Sequence, residues 1–291
     1  MRRSRWRRIP APSSAGALRG YRAAGINRVS LGAQSFVATQ LKELGRIHSP
    51  DDTRRAVAEL REAGFANYNL DLMYSLPRQT QAQAHEDLSE AIALGAPHLS
   101  YYHLTLEPGT AFHRRPPVLP DEDVTAGIES QADGTLRAAG FERYEISAWA
   151  RPGHQCRHNL NYWGFGDYLG IGAGAHGKLT LPAEGRIVRT VKPRQPAGFQ
   201  KAAASGTPVG ERSDVPPRAR PFEFMLNATR LAAGFGPQLF ESRTGLPYAR
   251  IEPTIEELRA RGLLTLRAQS IHTTPLGWRF LNDVQAAFLD S

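Results

Sequence analysis

The chain of 291 residues contains little cysteine and no long apolar run. Its one cysteine, Cys156, excludes an intramolecular disulfide framework and any metal cage built only from thiolates of these residues. No uncharged apolar stretch approaches the roughly 20 residues that a membrane-spanning helix needs. Because a lone thiol is typical of a reducing compartment, the composition predicts a folded cytoplasmic protein without stable membrane insertion.

The first 42 residues lack acidic side chains. They hold eight arginines and Lys42, which leaves 27 basic residues against all 28 acidic residues in the rest of the chain. The formal net charge of +8 therefore belongs to the N-terminal part and not to one face of the folded body. This distribution argues against nucleic-acid binding. Residues 1–20 are interpreted as a divergent, arginine-rich N-terminus, although such a composition is also typical of an organelle transit peptide.

Strand-like runs alternate with helical patterns after this N-terminus, and the domain they predict spans residues 21–192. The alternation is typical of an α/β fold with parallel strands and right-handed crossovers. Acidic residues after Pro50 and Pro120 indicate two helix starts, because negative charge stabilises the free amides of a helix N-terminus. The predicted strands are residues 27–35, 67–75, 98–106 and 143–150, and the predicted helices are residues 51–63, 80–94 and 121–139.

A segment rich in proline, glycine, alanine and arginine, residues 193–220, is interpreted as a linker with one helix near residues 197–205. Residues 221–291 are predicted to form a helical module with a small hairpin, similar to a winged helix. Its last helix has one basic residue against two aspartates, which favours a structural or docking role over DNA binding. The predicted helices are residues 221–233, 237–243, 248–261 and 275–289, and the predicted hairpin strands are residues 263–266 and 270–273.

Three polar positions follow the predicted strands. In a barrel of parallel strands, side chains at the C-terminal strand ends face the ligand. Gln34, Asp71 and the corner at residues 105–107 are assigned to such ends. One polar residue at a strand end is more often a cap or a turn, but three at equivalent ends favour a ligand site.

Histidines, aromatic residues and closely spaced glycines are concentrated in residues 154–178. The glycines match a dinucleotide pattern and nearly match a phosphate loop. However, Leu179 follows Lys178 where Ser or Thr would hold magnesium, and no acidic ribose ligand follows at the required distance. Alternate glycines instead fit a strand pressed against another backbone. His154 and His158 could bind zinc from one helix face, but the residues around them predict a loop.

Several motifs in this chain agree in order and spacing with one family. His158-Asn159-Leu160-Asn161-Tyr162-Trp163, or H-N-x-x-Y-W, is followed by Phe165-Gly166-Asp167-Tyr168 and by Ala175-His176-Gly177. On these motifs the chain resembles the radical S-adenosylmethionine haem chaperone family, HemW, from about Gly20 to its end. Further matching blocks are residues 25–36, 44–48, 69–77, 98–108, 222–227, 244–246 and 262–264.

The resemblance implies a fold and one cofactor site. The fold is a partial radical-SAM-type (βα) barrel without its first strands, plus a C-terminal winged-helix-like module. The implied contacts to S-adenosylmethionine are Gln34, Arg46 and Asp71. The chemistry suits them, because an amide and a carboxylate can bind ribose hydroxyls and an arginine can bind the methionine carboxylate.

The resemblance also implies haem binding and delivery to haem-accepting proteins. The implied haem segment comprises His158, Asn159, Tyr162 and Trp163, with His158 as the candidate iron ligand and the aromatic rings against the porphyrin. His154, Cys156 and His176 stay open as alternative ligands.

One departure from the family is large. Family members carry a C-x-x-x-C-x-x-C loop for a [4Fe-4S] cluster, and these residues lack it. Without a cluster there is no reductive cleavage of S-adenosylmethionine, so we expect an N-terminally truncated relative that is catalytically inactive as it stands. Two alternatives stay open. One is an oxygen-independent coproporphyrinogen III oxidase of porphyrin biosynthesis, if a cluster segment lies upstream, and the other is a non-functional fragment.

Overall fold

The chain folds as an N-terminal unit, Met1–Gln155, and a C-terminal unit, Cys156–Ser291. The computed structural model describes residues 4–8 and 15–289. The sequence predicted a different division, with a barrel to residue 192 and a linker at residues 193–220. The division differs because three strands between residues 176 and 214 pair with one another inside the C-terminal unit.

The N-terminal unit alternates strands and helices as the sequence predicted. The starts of its helices follow local chemistry: Ser49 and Asp52 form a capping box around Pro50, and the Asp121 side chain accepts from the Val124 N–H. Its elements are β1 Ser4–Arg8, α1 Ala15–Ala23, β2 Ile26–Gln34, α2 Ala38–Glu43, α3 Pro50–Glu62, β3 Tyr68–Tyr74, α4 Gln81–Ala93, β4 His98–His103, α5 Ala111–Arg114, α6 Glu122–Ala138, β5 Glu142–Glu145 and β6 Ala148–Ala150.

Six strands of the described chain form one sheet in the order β1-β2-β3-β4-β6-β5. The strands β1 to β4 pair in parallel, whereas β6 pairs antiparallel with β4 and β5. The prediction of a single strand over residues 143–150 was wrong, because the chain reverses at Ile146 and Ser147. The Ile146 carbonyl oxygen accepts from Arg143 Nε at 3.2 Å, which stabilises this turn.

The helices α1, α3, α4 and α6 cover one face of the sheet. Apolar strand residues such as Leu31, Leu70 and Leu99 face them and are fully buried. Burial of each such side chain contributes about 1.5–3 kcal/mol. The opposite face of the sheet is therefore the one left for polar chemistry.

Two elements lie within the region interpreted as a divergent N-terminus. The strand β1 pairs in parallel with β2, and α1 begins at Ala15. The rest of the predicted segment at residues 1–20 includes residues 1–3 and 9–14, which lie outside the described residues. Within the described residues, no helix is long and apolar enough to cross a membrane.

The C-terminal unit combines a small antiparallel sheet with a helical module. Described strands β7, β8 and β9 form the sheet, and β10 pairs with β11 as the predicted hairpin. Its elements are α7 Arg157–Trp163, β7 His176–Leu181, β8 Arg186–Val191, α8 Pro196–Ala204, β9 Glu211–Asp214, α9 Arg220–Ala228, α10 Pro237–Thr244, α11 Glu252–Ala260, β10 Leu264–Arg267, β11 Ser270–Thr273, α12 Pro275–Arg279 and α13 Leu281–Ala286.

The core of this unit is aromatic. The ring of Phe224 in α9 meets those of Phe235 and Phe240 edge to face, with centroids 5.1 and 5.2 Å away. The single final helix predicted over residues 275–289 was wrong, because Phe280, with φ −110° and ψ 38°, separates α12 from α13. The helices and the hairpin otherwise form the predicted winged-helix-like module.

Candidate functional site

The face of the N-terminal sheet that points away from the helical core is polar. Successive side chains of a strand point to opposite sides, so the residues between the apolar core positions share this second face. Most of them are buried, and buried polar groups need hydrogen-bond partners. The set, named the polar face, comprises Arg28, Ser30, Asn69, Asp71, His98, Ser100 and Tyr144.

Hydrogen bonds on the polar face converge on the carboxylate of Asp71. Asn69 Nδ2 donates to Asp71 Oδ1 at 2.8 Å, and Ser30 Oγ donates to Asp71 Oδ2 at 3.0 Å. Because a carboxylate only accepts, the Asn69 carbonyl oxygen must point the other way, to His98 Nδ1 at 2.6 Å. His98 therefore carries a proton on Nδ1, and in the neutral imidazole Nε2 accepts from the Tyr144 hydroxyl at 2.8 Å. This series of donors fixes the orientation of Asp71.

Gln34 ends β2 in a left-handed backbone conformation, with φ 60°. Its side chain turns back over Gly32, since a Cβ at residue 32 would lie 2.5 Å from Gln34 Nε2. Gly32 pairs with Asp71 across the parallel ladder. The structure therefore brings the Gln34 amide and the Asp71 carboxylate to neighbouring positions, and a glycine at residue 32 leaves the room for this.

The turn after Gln34 is held by Asp87 of α4. The Ser35 hydroxyl donates to Asp87 Oδ2 at 2.7 Å, and the Phe36 N–H donates to Asp87 Oδ1 at 2.5 Å. Burial raises the pKa of Asp87 to about 6, although both hydrogen bonds favour its ionised form. Asp87 thus anchors the backbone that carries Gln34.

Arg46 lies in the exposed loop after α2, and its side chain has no hydrogen bond or ion pair within the described chain. His48, two residues later, is buried, and its Nε2–H donates to the Ala33 carbonyl oxygen at 3.2 Å. This bond ties the Arg46 loop to the end of β2. The guanidinium is therefore left available near the strand end that carries Gln34.

Asp71 and the corner at residues 105–107 were both expected at strand ends, and neither lies there. Asp71 lies in the middle of β3, so it reaches the polar face from within the strand and not from its end. The corner at residues 105–107 lies beyond β4, which ends at His103, and both Thr105 and Glu107 are exposed. The polar residues of this sheet therefore lie mostly along the strands, on the polar face, and not at the strand ends.

The segment after residue 152 was predicted to be a loop, and this prediction was wrong. Arg157–Trp163 form the helix α7, with Cys156 at its N-cap. None of these seven residues, all of them described, is buried, so the helix lacks the apolar period that predicts one. His154 precedes α7, so it does not share a helix face with His158.

Two rings on α7 face solvent. His158 and Tyr162 are exposed and stacked, with ring centroids 6.4 Å apart and an interplanar angle of 29°. Tyr162 also contacts Tyr168, with centroids 5.4 Å apart. Burial, together with the nearby Tyr162, raises the pKa of the Tyr168 hydroxyl. Asn159 is half-buried on the same helix.

Trp163, the last residue of α7, packs against its own unit. The Arg230 guanidinium lies over its ring, 4.2 Å from the centroid, at the distance of a cation–π contact. Its Nε1 is buried and has no hydrogen-bond partner among the described residues. The predicted haem segment is therefore divided between exposed rings, His158 and Tyr162, and a packed ring.

The alternative iron ligands differ in access. Cys156 is a buried thiol, 2% exposed. His154 is half-buried, whereas His176, the first residue of β7, is exposed. Of these three, His176 has the open side chain that an external ligand needs. The described residues contain no group of three or more His, Cys, Asp or Glu that could hold a metal ion.

Lys178, which a phosphate loop would use, is part of the core of the C-terminal unit. Its Nζ donates to the Phe165 carbonyl oxygen and to Asp167 Oδ1, each at 3.0 Å. Burial lowers the pKa of Lys178, although Asp167 opposes this shift. Gly172 and Gly174 were predicted to lie in a strand, which was wrong, because they have φ of 103° and 68° and form a turn, whereas Gly177 lies in β7.

The chain resembles known proteins along most of its length. A family model described as the HemN C-terminal domain matches residues 215–280. The protein named heme chaperone HemW from Escherichia coli (strain K12) is 48% identical over 269 residues, which cover 92% of this chain and 70% of that protein. The chain belongs to the HemW family. The protein of the same name from Bacillus subtilis (strain 168) is 32% identical over 286 residues, covering 96% and 74% of the two chains.

A solved structure extends the comparison from the HemW family to the fold. Coproporphyrinogen III oxidase (HemN) from Escherichia coli, described as a radical SAM enzyme, superposes with a TM-score of 0.78 over 99% of this chain and 69% of that chain. At 18% identity, this likeness concerns the fold alone. It confirms the predicted class, a radical-SAM-type α/β fold with a partial barrel and a C-terminal helical module.

The motifs of the sequence indicated the HemW family, but they did not indicate most residues of the polar face. Asn69, His98, Ser100 and Tyr144 were not predicted as site residues. The signal was present, because polar and apolar residues alternate in β2, β3 and β4. Asp71 was predicted from its assigned strand end and from the family resemblance, and not from this alternation.

Proposed function

We propose that the chain binds haem at α7 and delivers it to haem-accepting proteins. The observation that carries this proposal is the exposed, stacked pair of His158 and Tyr162. A histidine nitrogen can ligate haem iron, and a tyrosine ring offers an apolar face to the porphyrin. The relatives named heme chaperone HemW support the same function. The single cysteine of these residues supports action in a reducing compartment such as the cytoplasm.

We also propose that the N-terminal unit contacts S-adenosylmethionine through Gln34, Arg46 and Asp71. Their chemistry fits, since an amide and a carboxylate lie at neighbouring positions and the guanidinium is available. The same residues do not fit an iron–sulfur cluster. A [4Fe-4S] cluster is held by several cysteine thiolates, and these 291 residues contain one, which is buried. No radical step is therefore assigned to this chain.

The haem assignment is tested by titrating haem into the purified chain and following the Soret band. We expect saturable binding that His158→Ala weakens strongly, because the mutation removes the iron ligand. Tyr162→Ala should lower the affinity without changing the ligand-dependent position of the band. The matched control is His113→Ala, which removes an exposed histidine of α5 in the other unit.

Two results would contradict this assignment. The first is an absence of haem binding by the unmodified chain. The second is equal binding by the His158→Ala and His113→Ala variants, which would show that His158 is not the ligand.

A further inference from the structure

A depression of about 340 Å³ lies in the C-terminal unit where β7 begins and β8 ends. Its lining includes His176, Lys192 and Arg194, with Glu211 as the acidic member. Within the described chain, the side chains of Lys192 and Arg194 have no hydrogen bond or ion pair. The depression, named the basic depression, therefore offers cationic donors to an external anion.

The two arginines of β8 itself are already neutralised. Arg186 pairs with Asp214 at 3.0 Å, and Arg189 pairs with Glu223. Both arginines belong to β8, the strand that leads into the basic depression. Along β8 the cations therefore change from paired to available where the strand reaches the basic depression.

The basic depression lies where β7 begins, and β7 pairs with the segment that follows α7. Tyr168, which contacts Tyr162, pairs with Lys178 through two backbone hydrogen bonds of 3.0 Å. Two residues before Lys178 on β7 is His176, which pairs with Val191. Residues two apart on a strand share a face and lie roughly 7 Å apart, so His176 follows Tyr168 on one side of the sheet.

This arrangement matches the polarity of a haem molecule. The porphyrin ring is flat and apolar, and its two propionates are carboxylates at one edge. Arginine and lysine bind carboxylates through charge-assisted hydrogen bonds, and arginine can do so with two parallel bonds. Tyr162 and Tyr168 offer aromatic rings, and past His176 the lining of the basic depression offers Lys192 and Arg194, which is the same order of properties.

We infer that the basic depression binds the propionate carboxylates of haem while the porphyrin ring lies along Tyr168 towards α7. This inference rests on the proposed haem function and adds the residues that recognise the acidic edge of the ligand. Lys192 and Arg194 supply the charge, and His176 supplies a further donor. Glu211, at the start of β9, opposes binding through its like charge.

The test compares ligands that differ only at the proposed contacts. Haem carries free propionates, haem dimethyl ester carries the same ring and iron without the negative charges, and protoporphyrin IX carries the propionates without iron. Binding is followed by absorption and by quenching of tryptophan fluorescence. The double variant Lys192→Ala/Arg194→Ala should bind haem and protoporphyrin IX roughly ten-fold or more weakly, the loss expected for one charge-assisted hydrogen bond. Its affinity for the dimethyl ester should not change.

A matched control removes two exposed positive charges outside the lining, in the variant Lys201→Ala/Arg218→Ala. We expect it to bind all three ligands like the unmodified chain. Glu211→Gln gives a prediction of opposite sign, namely tighter binding of haem and protoporphyrin IX and unchanged binding of the ester.

The outcomes separate this inference from the proposed function. If His158→Ala weakens haem binding but the Lys192→Ala/Arg194→Ala variant behaves like its control, the basic depression is wrong and the haem function stands. An equal loss for haem and its dimethyl ester also overturns the inference, because the lost contacts would not involve propionates. If the unmodified chain binds neither haem nor protoporphyrin IX, both proposals are wrong.

Discussion

Each unit contains a carboxylate group with a displaced pKa, buried at Asp87 and half-buried at Asp167, and the two displacements have opposite directions. In the N-terminal unit, burial raises the pKa of Asp87 to about 6 despite two hydrogen bonds from the β2–α2 turn. In the C-terminal unit, burial acts to raise the pKa of Asp167, but hydrogen bonds from Thr180 and Lys178 hold it below its ordinary value. Burial alone therefore does not decide the charge state, because at the less buried Asp167 the hydrogen bonds from Thr180 and then from Lys178 outweigh it.

Each of these carboxylates supports a different candidate site. Asp87 anchors the turn that carries Gln34, next to the polar face. Asp167 and Lys178 connect β7 to the residues that follow α7, because Lys178 Nζ also donates to the Phe165 carbonyl oxygen. Hydrogen bonds without a cationic partner hold the turn beside the first site. An ion pair between Lys178 and Asp167 holds the second. Mutations should therefore affect the two units by different amounts and with different pH dependence.

The largest expected effect is that of Asp167→Asn. The change leaves the Lys178 ammonium, whose side chain is 2% exposed, without an anionic partner. Because the Asp167 side chain is 35% exposed, we expect a cost of about 3 kcal/mol, the lower end for breaking a buried pair. The loss should be measured as the free energy of opening of the β7 and β8 amides by hydrogen exchange. The amides of β2 and β3 in the other unit serve as the internal reference.

Two further variants provide reference values for this prediction. Asp167→Asn/Lys178→Met removes both charges and should recover part of the loss. Glu257→Gln breaks an exposed i,i+4 pair with Arg261, 3.5 Å apart, in the same unit and should cost only about 0.3–0.5 kcal/mol. A similar small loss for Asp167→Asn would mean that the pair with Lys178 is no stronger than a surface pair.

The second effect is a pH dependence caused by Asp87. Its pKa rises from an ordinary 3.8 to about 6 in the folded chain. Between these two pH values the folded state binds more protons than the unfolded state, so the stability contributed by protonated Asp87 is lost as the pH rises. A displacement of this size corresponds to roughly 2–3 kcal/mol.

This dependence is measured by urea denaturation of the unmodified chain and of Asp87→Asn at several pH values. The free energy of unfolding of the unmodified chain minus that of Asp87→Asn should fall as the pH rises across this window, and it should be constant above the window. Asp167 contributes with the opposite sign, because its lowered pKa stabilises the fold at higher pH and this contribution is lost on acidification. A difference that does not vary with pH would contradict the assignment to Asp87.

The sequence predicted those parts of the fold that depend on local chemistry. The capping residues around Pro50 and the acidic start of α6 are local signals, and both helix starts were confirmed. The turn at Ile146 and Ser147 was missed because β5 and β6 are too short to show a period of their own. The helix α7 was missed because it buries no residue and therefore shows no apolar stripe.

The candidate sites were harder to predict because they depend on contacts between distant residues. Gln34 and Asp71 become neighbours only through the ladder between β2 and β3 and the space over Gly32. The role of Asp87 depends on bonds across 51 and 52 residues of sequence. The motif containing His158 was found from its resemblance to a family, whereas its exposure depends on the tertiary structure.

The smallest of the expected effects concerns the polar face, where neutral hydrogen bonds replace the ion pair of the other unit. His98→Ala leaves the buried Asn69 carbonyl oxygen with one hydrogen bond less, and the loss of such a buried bond costs about 1–3 kcal/mol. Tyr144→Phe removes only the bond to His98 Nε2 and should cost less. The ring nitrogens of His98 provide an independent measurement, because ¹⁵N NMR distinguishes a protonated from an unprotonated nitrogen. We expect a protonated Nδ1 and an unprotonated Nε2 in the unmodified chain. The opposite tautomer would require the Asn69 amide to be reversed, and Asp71 would then lose the donor that orients it towards a ligand.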